Sequence, residues 1–171
     1  MDIFIEKIVK RKNGLKEYAL IFALILAAVF VSFFAVVFLI DTLQTITFIL
    51  IAAIIYGLWY LIGLQNIEFE YSLTNGELDI DTIINRRKRN RILGVNCKDF
   101  EIVAPYTDEN IKQYSGASVS KKIFACSSLN DDGLYFIVTS SKMYGKTLLV
   151  FQPDERMLNA FKTFIPKKVI L

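Results

Sequence analysis

The chain has 171 residues, 54% of them hydrophobic, a net charge of +3 and no histidine. That apolar share is above the range of ordinary soluble domains, and the missing histidine excludes Ser-His-Asp and Cys-His catalysis, the commonest zinc ligand sets and a histidine pH switch. Cys97 and Cys126 form neither a C-x-x-C pair nor the framework of a disulfide-stapled secreted domain, so they read as buried thiols of a reducing compartment.

Residues 1–17 are a basic segment. Phe4, Ile5, Ile8 and Leu15, set against Glu6, Lys7, Lys10 and Arg11, fit either a short amphipathic helix on the inner leaflet or a basic flank that only sets topology. Residues 18–65 follow as a helical hairpin whose two runs, 19–40 and 46–64, contain no Asp, Glu, Lys, Arg or His. At ~1.5 Å rise per residue these runs reach about 33 and about 28 Å, enough to cross a hydrocarbon core about 30 Å thick. The first run is too long for a cleaved signal peptide and has no small-residue cut site after it. Five basic residues from Lys7 to Lys16 precede it while the loop at 41–45 carries only Asp41, so the positive-inside rule puts the amino terminus in the cytosol. Two crossings return the chain there. Tyr18, Trp59 and Tyr60 then fall at one interface as aromatic anchors. Ala19, Ala23 and Ala27, with Ala53 and Gly57, follow small-xxx-small spacing, which suits close packing of the two spans or of a homo-oligomer. Neither run offers an ionisable group for an ion path or proton relay.

Residues 66–171 read as a cytosolic, mostly-β domain. The stretch 67–73 alternates apolar and acidic residues as a half-buried strand does, Asn75-Gly76 suits a type I′ turn, and 78–84 returns as the second strand. After the basic run 86–91 come strands at 91–95 and 100–104, then a polar stretch 106–120 with a short helix capped by Thr107. Three more strands are expected at 122–127, 134–140 and 146–152, separated by turn residues. After Pro153 the period changes: Met157, Leu158, Phe161, Phe164 and Ile165 lie at helical spacing, with Asp154 and Glu155 in the first turn.

Seven strands and a closing helix resemble the pleckstrin-homology-like (PH-like) fold, over roughly residues 67–165. The residues that carry the resemblance are Tyr71-Ser72-Leu73-Thr74-Asn75-Gly76-Glu77-Leu78-Asp79-Ile80 and Arg86-Arg87-Lys88-Arg89-Asn90-Arg91-Ile92, which look like the opening hairpin of bacterial PH-like domains. Such domains commonly follow two membrane spans, as here, and the whole chain resembles uncharacterised bacterial two-span proteins of that kind. The resemblance implies a half-open barrel of a four-stranded and a three-stranded sheet, plugged at one end by the final helix, and a place in the bacterial cytoplasmic membrane with both termini in the cytosol. Fold alone leaves function open. The family's phosphoinositide site is not carried over. Its loop is here the tight 74–77 turn, where Glu70, Glu77, Asp79 and Asp81 would repel an anionic headgroup.

The sharpest local signal is the cationic cluster Arg86, Arg87, Lys88, Arg89 and Arg91. The first strand leaves the membrane after Asn66, so an antiparallel second strand delivers this cluster back beside the bilayer, where each cation gains about 1 kcal/mol against anionic lipid. The plainer reading is a solvated hairpin loop. Glu68 with Glu70 and Asp79 with Asp81 could suggest acid-base chemistry, but they fit equally the wet face of a sheet. Asn130-Asp131-Asp132-Gly133 lacks the twelve-residue acid pattern of a calcium loop. No catalytic residue, metal ligand set or cofactor is expected. The partners expected are the bilayer, anionic lipid at the basic loop, and a protein partner or a second copy of the chain. Nucleic acid lacks any supporting aromatic or motif context. Two functions follow: a membrane-anchored interaction module, or a sensor of anionic lipid acting through 86–91.

Overall fold

A computed structural model describes residues 2–39, 41, 43–114, 116 and 119–170. Residue 40 of the first expected span, residue 42 of its loop, residues 115, 117 and 118 of the polar stretch, and the terminal residues 1 and 171 lie outside them. The chain divides into two compact units, Met1–Arg11 with Ile67–Leu171, and Lys12–Asn66.

The second unit is a pair of helices, α1 (Leu15–Leu39) and α2 (Gln44–Gly63), both long and apolar enough to cross a membrane. Their large side chains, among them Phe22, Phe30, Phe33, Phe38, Ile49 and Tyr56, are exposed, whereas the core helix of a soluble protein would bury them. Only Ala35 of α1 and Thr47 of α2 are fully buried among the described residues of the pair, and the Thr47 hydroxyl donates to the Leu43 carbonyl at 3.0 Å. The inward stripe of α1 continues from Ala35 through Ser32 and Ala28. Ala19, Ala23 and Ala27 are exposed instead, so the expected small-residue seam between the spans is one helical face away from the observed one.

The other unit holds eight strands in two sheets. The first sheet has the order β1-β2-β3-β4, from β1 (Phe4–Lys10), β2 (Ile67–Thr74), β3 (Glu77–Ile84) and β4 (Lys88–Asn96), all antiparallel. The basic amino-terminal segment is therefore neither an interfacial helix nor a loose flank. Seven residues fit both periods, and the strand wins because an unpaired β2 edge would leave its amides and carbonyls without partners. Ile5 and Val9 turn inward on β1, and its backbone runs alongside β2 from Phe4 opposite Thr74 to Lys10 opposite Glu68. The Arg11 amide donates to the Ile67 carbonyl at 2.9 Å and closes the ladder. The helical unit thus occupies the connection of a β-hairpin.

The β2–β3 turn is as expected, with Asn75 at φ 48° and Gly76 at φ 89°. At the next turn Asn85 and Arg86 both take positive φ, 51° and 53°. Strand β4 begins at Lys88, so Lys88, Arg89 and Arg91 lie on a strand and only Arg86 and Arg87 on the turn, where sequence reading expected a loop throughout 86–91.

The second sheet has the order β5-β7-β8-β6, from β5 (Phe100–Pro105), β6 (Lys121–Ala125), β7 (Tyr135–Ser141) and β8 (Gly145–Phe151). β6 runs parallel to β8, while the other pairs are antiparallel. Two sheets of four replace the expected four and three: β1 supplies the eighth strand and β5 belongs to the second sheet. The sheets do not close on each other. Helix α4 (Glu155–Phe164) is capped by Asp154, which accepts from the Met157 amide at 2.9 Å, and it buries Met157, Leu158 and Phe161. These join Tyr71, Leu73, Leu78, Ile80, Phe100, Ile137 and Phe151 in the core between the sheets. Tyr71 also ties sheet to sheet: its hydroxyl donates to the Ala125 carbonyl and accepts from the Gln152 amide. A second cluster on the far side of the second sheet, with Phe136, Val138 and Leu148, is covered by α3 (Asp108–Tyr114).

Candidate functional site: a charged sheet face and its open edge

Strand alternation sorts the charges. On β2, Glu68 and Glu70 face away from the core while Phe69 and Tyr71 face into it. Register brings Asp81 opposite Glu70, and Arg91 opposite Asp81. The outer face of the first sheet is therefore a ladder of acids crossed by arginines from β4 and its turn. Arg86 Nε lies 3.4 Å from Glu68 and Arg89 pairs with Glu70. Arg91 bridges Asp79 at 3.0 Å and Asp81 at 3.3 Å. The acids are not the wet outer face expected: Glu68, Glu70 and Asp81 are 9%, 5% and 8% exposed. Long guanidinium arms lie over them and keep their own ends in water. Burial, then a hydrogen bond with the Glu6 carboxyl, raises Glu70 above the usual carboxylate range, and Arg89 pulls it back. Asp79 is raised by burial against the opposing pull of Arg91.

The structure thus brings Arg86, Arg89 and Arg91 together with the acids that sequence reading kept apart from them. Arg87 and Lys88 are exposed at the start of β4. Tyr18, Trp59 and Tyr60 are exposed near the start of α1 and the end of α2.

Beside this face β4 presents an open edge. The outer edge of β5 is taken by the carboxy-terminal segment, where Val169 bridges Val103 and the Ile170 amide donates to the Val103 carbonyl at 2.8 Å. Among the described residues β4 pairs only with β3. The alternation of an antiparallel ladder turns the amides of Arg89 and Gly94 away from β3. A cleft of about 320 Å³ runs along this edge, lined by the acids Glu77, Asp79 and Asp99 together with Arg91, Gly94 and Asn96, and by Ser140 and Lys142 where β7 turns into β8. A second cleft of about 200 Å³ continues it past Gly94 to Ser141 and Met143. Sequence reading missed Gly94 on β4, and missed Ser140 and Lys142, whose nearness to β4 depends on how the two sheets pack.

Burial pushes the Cys97 thiol up to about 12 and Cys126 upward, so neither is an available thiolate at neutral pH. Among the described residues no cluster of three or more His, Cys, Asp or Glu is arranged to hold a metal ion.

A family model described as Bacterial PH-like domain (DUF6106) matches residues 1–171. No curated protein and no solved structure matches the chain.

Proposed function

The chain belongs to that family of bacterial PH-like domains, and from this premise we propose that it is a non-enzymatic interaction module held at the cytosolic face of the bacterial cytoplasmic membrane. One observation carries the reading: the helices fill the connection between two paired strands, β1 and β2. An anchor at a chain end could be cut away and leave a free domain. This one is built into the sheet, so the β unit works where the helices are. Both strand ends that lead to the helices need the same compartment, which agrees with two crossings and with the basic flank before α1. With no histidine and with both thiols held protonated, the chain has few means for turnover at neutral pH.

Contact with anionic lipid is the second reading. In its favour, the turn bearing Arg86 and Arg87 lies at the end of the sheet where β1 stops and β2 starts, since Ile84 pairs with Ile67. Against it, carboxylates offset Arg86, Arg89 and Arg91.

Fractionation separates the two. The full chain should stay in the membrane pellet through high salt and alkaline carbonate, while a chain with residues 12–66 replaced by Asn-Gly should be soluble. Release of the full chain by carbonate would remove the anchor. Salt-sensitive binding of the shortened chain to anionic vesicles, lost when Arg86, Arg87 and Lys88 become Ser, would promote the lipid reading.

A further inference from the structure

A sheet edge is a row of amides and carbonyls without partners, and large apolar side chains along it invite a second strand. The first sheet ends in β4 on one side and β1 on the other. β4 is crowded with charges of both signs that largely engage one another. β1 is different. Among the described residues it pairs only with β2. The Arg11 amide bonds Ile67 and the Ile3 carbonyl accepts from Asn75, so odd-numbered residues face β2 and the amides of Phe4, Glu6, Ile8 and Lys10 point away from the sheet. The side chains of the same four residues are exposed, Phe4 at 66% and Ile8 at 54%. In its own chain Glu6 pairs with no cation and Lys10 with no acid among the described residues.

We infer that β1 pairs with β1 of a second copy in the same membrane, antiparallel about a two-fold axis at Ile8, so that two four-stranded sheets join into one. The charge order of Glu6-Lys7-Ile8-Val9-Lys10 selects both partner and register. With the axis at Ile8, Glu6 of each copy lies opposite Lys10 of the other, Ile8 meets Ile8, and Lys7 lies opposite Val9. Moving the axis to Glu6 sets Glu6 against Glu6, moving it to Lys7 sets Lys7 against Lys7, and moving it to Val9 sets Lys7 against Arg11. Like charges directly opposite each other destabilise a strand pair, whereas opposite charges and apolar pairs support it. One strand segment a side is far below the about 20–30 residues of a standard interface, so the pairing is weak in free solution and is populated where the helices hold the copies together at high local concentration. The β unit freed of its helices stays monomeric at micromolar concentration. A second copy is thus the partner of the membrane-held module proposed above, on which this pairing rests.

The test uses the full chain in membranes, with cysteines placed along β1, copper phenanthroline as oxidant and dimer read on a non-reducing gel. The unsubstituted chain, whose Cys97 and Cys126 are buried, is the control. Ile8→Cys should cross-link, because hydrogen-bonded antiparallel partners lie about 5.5 Å apart at Cα, within the reach of a disulfide. Phe4→Cys, Glu6→Cys and Lys10→Cys should not, since each sits about 14 Å or more along the strand from its twin. Glu6→Cys and Lys10→Cys in one chain should cross-link again. In the Ile8→Cys background, Glu6→Lys or Lys10→Glu should slow dimer formation at least tenfold, and the two together should restore it. Limited proteolysis reports whether each variant is folded. No dimer from Ile8→Cys, equal dimer from all four single positions, or no restoration by the double charge swap would each overturn the pairing. Failure here with a carbonate-resistant anchor leaves the membrane-held module standing, whereas loss of the anchor is seen in the fractionation alone.

Discussion

Glu70 shows what single residues reveal and conceal in this chain. Its place on the outward face of β2 was legible from the alternation Ile67-Glu68-Phe69-Glu70-Tyr71. Its burial was not, because the arginine that covers it comes from β4 and the carboxyl that shares a hydrogen bond with it comes from β1. Burial raises its pKa above the ordinary 4.5, so the folded state holds a proton that the unfolded chain releases sooner. The stability this contributes is fully present below the ordinary value and is lost as pH rises through the raised one. Glu70→Gln should therefore raise the melting temperature by a few degrees at pH 7 and have no such effect near pH 4. Thermal melts across that range check it; equal shifts at both ends would mean that packing, not protonation, sets the effect. The Arg89 side chain is largely exposed and returns to water when its partner is neutral.

Among the elements, those with strong local signals were the ones legible in the sequence. The Asn75-Gly76 turn fixed the β2–β3 hairpin, and the change of period after Pro153 marked α4. β1 escaped because its partner lies about 60 residues further along the chain and seven residues support either period. The parallel pairing of β6 with β8 has no local signature at all. The β4-edge cleft was hidden for the same reason, since Gly94 and Lys142 meet only when two sheets pack. A domain cut at residue 66 would thus lose a whole edge strand. It would lose the buried Val9 and the packed Ile5, and each large apolar side chain fully buried contributes about 1.5–3 kcal/mol. Residues 67–171 alone should aggregate, while 1–11 joined to 67–171 by Asn-Gly should be monomeric and melt cooperatively. Light scattering and a melting curve distinguish them, and a well-folded 67–171 fragment would demote β1 to an ornament of the sheet.

At the scale of the whole molecule, the helical unit is the stretch of chain that joins β1 to β2. On the two-crossing topology proposed above, removing α2 leaves one crossing, so β1 and β2 would emerge on opposite sides of the bilayer and could not pair. A chain lacking residues 44–63 should then be protease-sensitive throughout the β unit, though no residue of that unit has changed. A protease-resistant β unit in that variant would show that β1 pairing is dispensable.

The hairpin enclosing the helices also sets an order on biosynthesis. On the membrane-held reading proposed above, β1 leaves the ribosome before β2 and has no β2 to pair with until both helices have been inserted and β2 has followed. Completion of the first sheet therefore reports that insertion ended with the two flanks on one side. A nascent chain threaded the wrong way keeps β1 and the β2 edge bare, and bare strand edges are what chaperones and membrane proteases capture. On that reading the β1–β2 pairing is itself a check on membrane topology, made by a strand that sequence reading took for either an interfacial helix or a basic flank.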